Sequence, residues 1–109
     1  MTSKPIVPRT VALADIEQAV DYYAREAGLD VALRFVGAIE DAYRTIGLRP
    51  ATGSPRLSHE LNLPGLRSRT LKRFPYMIFY VEQVAHIEVW RVLHAQRDMA
   101  AWLATDDTR

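Results

Sequence analysis

At 109 residues the chain has room for one domain, 1–109, with a modest core, and its 49% hydrophobic and 25% charged residues exclude a largely disordered protein. The absence of cysteine excludes a disulfide framework, a thiolate nucleophile and a Cys-ligated metal, and a net charge of +1 excludes a polyanion binder that works by bulk charge. No apolar run approaches the roughly 18 residues of a membrane span, and the opening MTSKPIVPRT lacks the apolar core of a signal peptide, so a cytoplasmic protein without membrane contact is expected.

Residues 4–9 are short and apolar but carry Pro5 and Pro8, which cannot donate ladder hydrogen bonds, so they read as an edge strand. Thr10 is placed to cap a helix whose apolar stripe is Ile16, Ala19, Val20, Tyr23 and Ala27, and Gly28 stands where such a helix needs a C-terminal glycine. Asp30 is placed to cap a second helix with the stripe Ala32, Phe35, Val36, Ile39, Ala42, Tyr43 and Ile46. The two-residue link between them dictates an antiparallel hairpin, and Pro50, Gly53 and Pro55 end helical structure.

Three strands follow. Residues 67–74 alternate, with Arg67, Arg69, Leu71 and Arg73 on one side. Residues 76–81, YMIFYV, form a continuous apolar run suited to a central strand buried on both faces. Residues 86–94, HIEVWRVLH, are β-branched and aromatic, with Arg91 and Leu93 facing one way and Trp90 and Val92 the other. A short helix is expected over 97–103, with Met99, Trp102 and Leu103 apolar, before a frayed tail. The fold class is α+β, in the order β-α-α-β-β-β(-α), with the helical hairpin packed on one face of a small antiparallel sheet.

Charge is distributed unevenly. Residues 1–50 carry six Lys/Arg against seven Asp/Glu, whereas residues 51–81 carry Arg56, Arg67, Arg69, Lys72 and Arg73 against Glu60 alone. Such a basic patch attracts phosphate, acidic side chains or an acidic partner, although a charged strand edge also protects against aggregation. None of the five glycines builds a phosphate-binding loop, and His59, His86 and His94 lack zinc spacing, so neither a cofactor nor a metal is expected.

The order of elements, with ProGlyLeuArgSer at 64–68, ArgPheProTyr at 73–76, IlePheTyr at 78–80 and ArgValLeuHis at 91–94 followed by Arg97 and Asp98, resembles the RelE/ParE toxin superfamily of plasmid stabilisation proteins. The resemblance runs from about residue 14 to 103 and implies the toxin of a type II toxin–antitoxin pair. It also implies a cognate antitoxin from the same operon as partner in a hetero-oligomer. RelE-like members are ribonucleases that cut mRNA on the ribosome; ParE-like members act on DNA gyrase.

Metal-free RNA cleavage needs a base, an acid and cations for the phosphate. The residues available for it are Arg69, Arg91, His94 and Arg97. The stretch after the last strand, AlaGlnArgAspMetAlaAlaTrp, has no tyrosine, where RelE-like enzymes carry an acid–base group. His94 has a structural reading as a strand-end residue bonded to backbone or to Asp98, and Arg91 one as a partly buried arginine held by Glu88 or an aromatic face. These points favour the ParE branch, a non-enzymatic gyrase inhibitor with no catalytic residues. Val20, Phe35 and Ile39 are expected to form apolar surface for the antitoxin, and the basic patch to meet the target or the antitoxin.

Overall fold

The computed structural model describes residues 2–98. Strand β1 (Ile6–Pro8) leads into helices α1 (Thr10–Glu26) and α2 (Leu29–Leu48); a 3₁₀ turn (Pro50–Thr52) and a short helix α3 (Arg56–Glu60) then precede strands β2 (Leu66–Thr70), β3 (Tyr76–Glu82) and β4 (Ile87–His94). The strands form one sheet in the order β1-β4-β3-β2. The hairpin and α+β class expected from the sequence are therefore present. The sheet is mixed, because β1 pairs parallel to β4 while the other pairs are antiparallel.

Helix α1 starts at Thr10 itself, with Arg9 in extended geometry before it, and α2 starts at Leu29, ahead of Asp30; neither helix has a side-chain cap. Thr10 and Asp30 therefore do not cap as expected. Asp30 lies in the first turn of α2, where its charge favours the helix dipole. Gly28 joins the helices at φ +98°, a conformation L side chains rarely adopt, and this sharpens the hairpin.

The sheet is packed on both faces, unequally. On the hairpin side Phe35, Ile39 and Ile46 of α2 and Ala12 and Ala19 of α1 meet Ile78, Tyr80, Val89 and Val92. Phe35 is wholly buried and Ile39 nearly so, and Val20 packs half-buried against the same cluster. Phe35 and Ile39 are therefore core rather than the exposed docking surface expected of them, and Val20 keeps only partial exposure beside them. The i, i+4 stripe that makes them apolar is the stripe the hairpin turns toward the sheet, where a side chain of Phe size gains about 2–3 kcal/mol.

On the other face Leu57 of α3 packs with Leu66, Phe79 and Leu93, flanked by Leu61, Leu63, Met77, Val81 and Trp90. The 3₁₀ turn and α3 are additions to the expected architecture, formed within the proline-rich stretch that reads as a helix stop. Strand β2 ends at Thr70 rather than reaching residue 74, because the chain turns there: Arg73 sits at φ +67° and Leu71 N–H donates to Tyr76 O. A bulge shifts the β3–β4 register between Phe79 and Tyr80, so Trp90 and Leu93 share one face while Val92 lies on the other. This corrects the strict alternation expected for β4. The helix expected over 97–103 falls, after its first two residues, outside the described residues.

Candidate functional site

A cleft of about 360 Å³ opens between α1 and the end of β4, lined among others by Asp15, Gln18, Asp21, Arg25, Tyr76 and Arg97. Asp15 fastens the two elements. Its carboxylate accepts from Arg91 Nε at 2.8 Å and Nη2 at 2.9 Å, and from the Val92 backbone N–H at 3.0 Å. The Asp15 side chain is 10% exposed and that of Arg91 28%, so the fork-to-carboxylate pair is largely withdrawn from water. Hydrogen bonding to Asp15 raises the Arg91 pKa above its ordinary value against the opposing effect of burial. Asp15, not Glu88, is the partner of Arg91; Glu88 instead accepts from Arg9 and Trp90, and these bonds lower its pKa.

The end of β4 is a self-contained knot. His94 Nδ1 accepts from the backbone N–H groups of Gln96 (3.2 Å) and Arg97 (3.1 Å), and the His94 backbone N–H donates to Asp98 Oδ2 at 3.0 Å. The ring stands edge-on to Tyr76. Arg97 pairs with Asp98 at 3.1 Å and donates to the Tyr76 hydroxyl at 3.3 Å, with its guanidinium 5.9 Å from the Tyr22 ring centroid. Burial pushes the Asp98 carboxyl up, but the bonds from Arg97 and the His94 backbone outweigh it and hold the pKa below its usual value.

The basic patch follows the sheet edge. Cross-strand pairing with Tyr80 and Ile78 puts Arg67 and Arg69 on the hairpin face of β2. Arg67 Nη1 donates to Gly53 O at 2.8 Å and Arg69 Nη1 to Thr52 Oγ1 at 3.3 Å. Arg56, Lys72 and Arg73 are exposed, at the start of α3 and in the β2–β3 turn.

The four residues named for RNA cleavage do not converge. Arg91 and Arg97 are each bound by a carboxylate, the His94 Nδ1 serves the backbone, and Arg69 lies on β2, separated from β4 by β3. Among the described residues no group of three His, Asp or Glu side chains is placed to hold a metal ion. The sequence reading missed Asp15 as a structural anion. Its signal was present: Asp15 stands three residues after Ala12 and four before Ala19, both buried, so it occupies a position on the inward stripe.

The architecture is a helical hairpin on a four-stranded sheet, fastened through Asp15 and Arg91. It matches a solved chain described as "Chromosomal ParDE TA system from P. aeruginosa" with a TM-score of 0.72 and 22% identity, over 86% of this chain and 98% of that one. No curated protein matches significantly. The family model described as "ParE toxin of type II toxin-antitoxin system, parDE" matches residues 6–99. The chain belongs to that family and is a type II toxin. Among the described residues no helix is long and apolar enough to cross a membrane.

Proposed function

We propose that this toxin is a cytoplasmic, ParE-like inhibitor of DNA gyrase that acts by binding, without a catalytic centre, and is neutralised by a cognate antitoxin encoded beside it. The observation that carries the non-enzymatic reading is the commitment of its basic groups: Arg91 is held by Asp15, Arg97 by Asp98, and His94 Nδ1 by two backbone N–H groups. A phosphoryl-transfer centre needs free cations and a free base facing one point. The basic edge, with Arg67 and Arg69 on β2, Arg56 at the start of α3 and Lys72 and Arg73 in the β2–β3 turn, is the surface proposed for the target.

Antitoxin docking is proposed on the outer side of the hairpin, where Leu29 is 67% and Leu33 60% exposed, one helical turn apart. That spacing fits an amphipathic segment laid along α2. The deciding experiment is a gyrase supercoiling assay with purified toxin, with and without antitoxin, beside primer extension on host mRNA after induction. Inhibition of supercoiling that the antitoxin relieves supports the reading. Codon-positioned cuts that vanish in His94→Ala, with supercoiling intact, overturn it in favour of a RelE-like ribosome-dependent endonuclease.

A further inference from the structure

We propose that the edge of the sheet along β2 is a phosphate-contact strip that binds the backbone of double-stranded DNA without reading its sequence. It uses the surface proposed above for the target, but its test needs no gyrase and can fail while gyrase inhibition holds. The first observation is pairing. Lys4, Arg9, Arg44, Arg91 and Arg97 each form an ion pair with a carboxylate. Among the described residues Arg56, Arg67, Arg69, Lys72 and Arg73 form none, and Glu60 is the single acid in residues 51–81. Arg25, Arg34 and Arg49 also form no ion pair among the described residues, but they lie in residues 1–50, where seven Asp/Glu outnumber six Lys/Arg, so the unbalanced positive charge is along this edge.

The second observation is preorganisation. Arg67 and Arg69 each spend one N–H on Gly53 O or Thr52 Oγ1, which fixes their stems and leaves most of the guanidinium donors for another acceptor. They stand two residues apart on one face, about 6.8 Å along the strand, which is close to twice the roughly 3.4 Å axial rise per phosphate of one DNA strand. Arg73 is a third sign. Its φ of +67° is a position that glycine or asparagine holds at lower cost, so backbone geometry does not account for an arginine there.

Two features choose the partner. Single-stranded nucleic acid is held by exposed aromatic platforms, but the neighbouring rings of Tyr76 and Tyr80 are buried and Phe74 packs edge-on to Phe35 in the core. An acidic peptide adding as a strand needs an open edge, and the middle of β2 is closed by Ser54, whose N–H and C=O both bond Ser68 at 2.8 and 2.9 Å. A duplex phosphate backbone needs neither.

The test is fluorescence anisotropy of the full chain with a labelled mixed-sequence duplex of about 20 bp across roughly 50–200 mM KCl. With all five cations engaged, affinity falls by about 500-fold over that range. Arg56→Glu/Lys72→Glu, two exposed positions, weakens binding at least about tenfold with an unchanged circular dichroism spectrum. Arg34→Glu on α2 leaves binding unchanged. Absence of duplex binding at low salt, tighter binding of single-stranded DNA, binding of a poly-glutamate peptide in place of duplex, or indifference to Arg56→Glu/Lys72→Glu each overturns the proposal.

Discussion

Asp15 is the residue on which the junction of helix and sheet depends, because three donors from β4 converge on one carboxylate. Asp15→Ala leaves the Arg91 guanidinium and the Val92 N–H unpaired in a half-dry seam. The expected loss is about 2–3 kcal/mol in urea unfolding, below the value for a fully buried pair because Arg91 keeps some solvent. Asp15→Asn keeps one or two acceptor contacts and loses less. Tyr43 poses the opposite case. Its hydroxyl is buried and meets no hydrogen-bond partner among the described residues, and burial pushes its pKa from 10.0 to about 12. The raised value means that the folded state keeps its proton where the unfolded chain has lost it. The stability due to the neutral phenol is complete below about pH 10 and declines as pH rises toward about 12. Tyr43→Phe is expected to be neutral or stabilising by up to about 1 kcal/mol at pH 7, and to flatten the alkaline limb of a stability–pH curve. A variant that retained the alkaline decline would assign it to another group. At this scale the sequence was partly legible. The strand-end role of His94 and the partial burial of Arg91 follow from neighbours and spacing. The Arg91–Asp15 pairing does not, because it joins residues 76 apart and depends on where α1 crosses the sheet.

Between elements, one tight seam lies where the 3₁₀ turn meets β3. The Tyr80 hydroxyl donates to Pro50 O at 2.6 Å, and a Cβ at Gly53 would collide with that same hydroxyl. Gly53→Ala is therefore expected to destabilise by about 1–3 kcal/mol, through overpacking rather than through backbone angles, since Gly53 has φ −69°. Tyr80→Phe removes the nearest obstructing atom and leaves the ring carbon Cζ 2.8 Å from that Cβ, so the double variant should recover part of the loss in a thermal-unfolding cycle; simple additivity would show that the hydroxyl contact is not the cause. The long helices and β3 were readable because 17 to 20 residues of three-and-four spacing, or a continuous apolar run, leave little choice. The five residues of α3 are too few to display a period, and the prolines before them signal a stop. What holds α3 is Leu57 against Leu66, Phe79 and Leu93, a tertiary contact with no local signature. The bulge in β4 is equally silent in the sequence, and it moved Val92 and Leu93 to the faces opposite those that alternation assigns.

For the molecule as a whole, the two sides of the sheet are finished to different degrees. Among the described residues the hairpin seals one face with fully buried residues, whereas the other is covered by the short helix α3, flanked by half-buried Leu61, Leu63, Met77, Val81 and Trp90. The outside of the hairpin also leaves Leu29 and Leu33 in solvent, one helical turn apart. If the antitoxin docks there as proposed, it stabilises the folded state by mass action, as does any ligand that binds only that state. At a free antitoxin concentration about a thousandfold above Kd the gain is about 4 kcal/mol, and for a domain of this size each kcal/mol moves Tm by about 4–8 °C. The expected outcome in differential scanning calorimetry is a rise of at least about 15 °C on adding antitoxin, increasing with antitoxin concentration. Leu29→Asp/Leu33→Asp should leave the Tm of the free toxin within a few degrees, because both side chains are already in water, and should abolish most of the rise. A full rise in that variant would move the antitoxin off α2 and onto the half-covered face beneath α3.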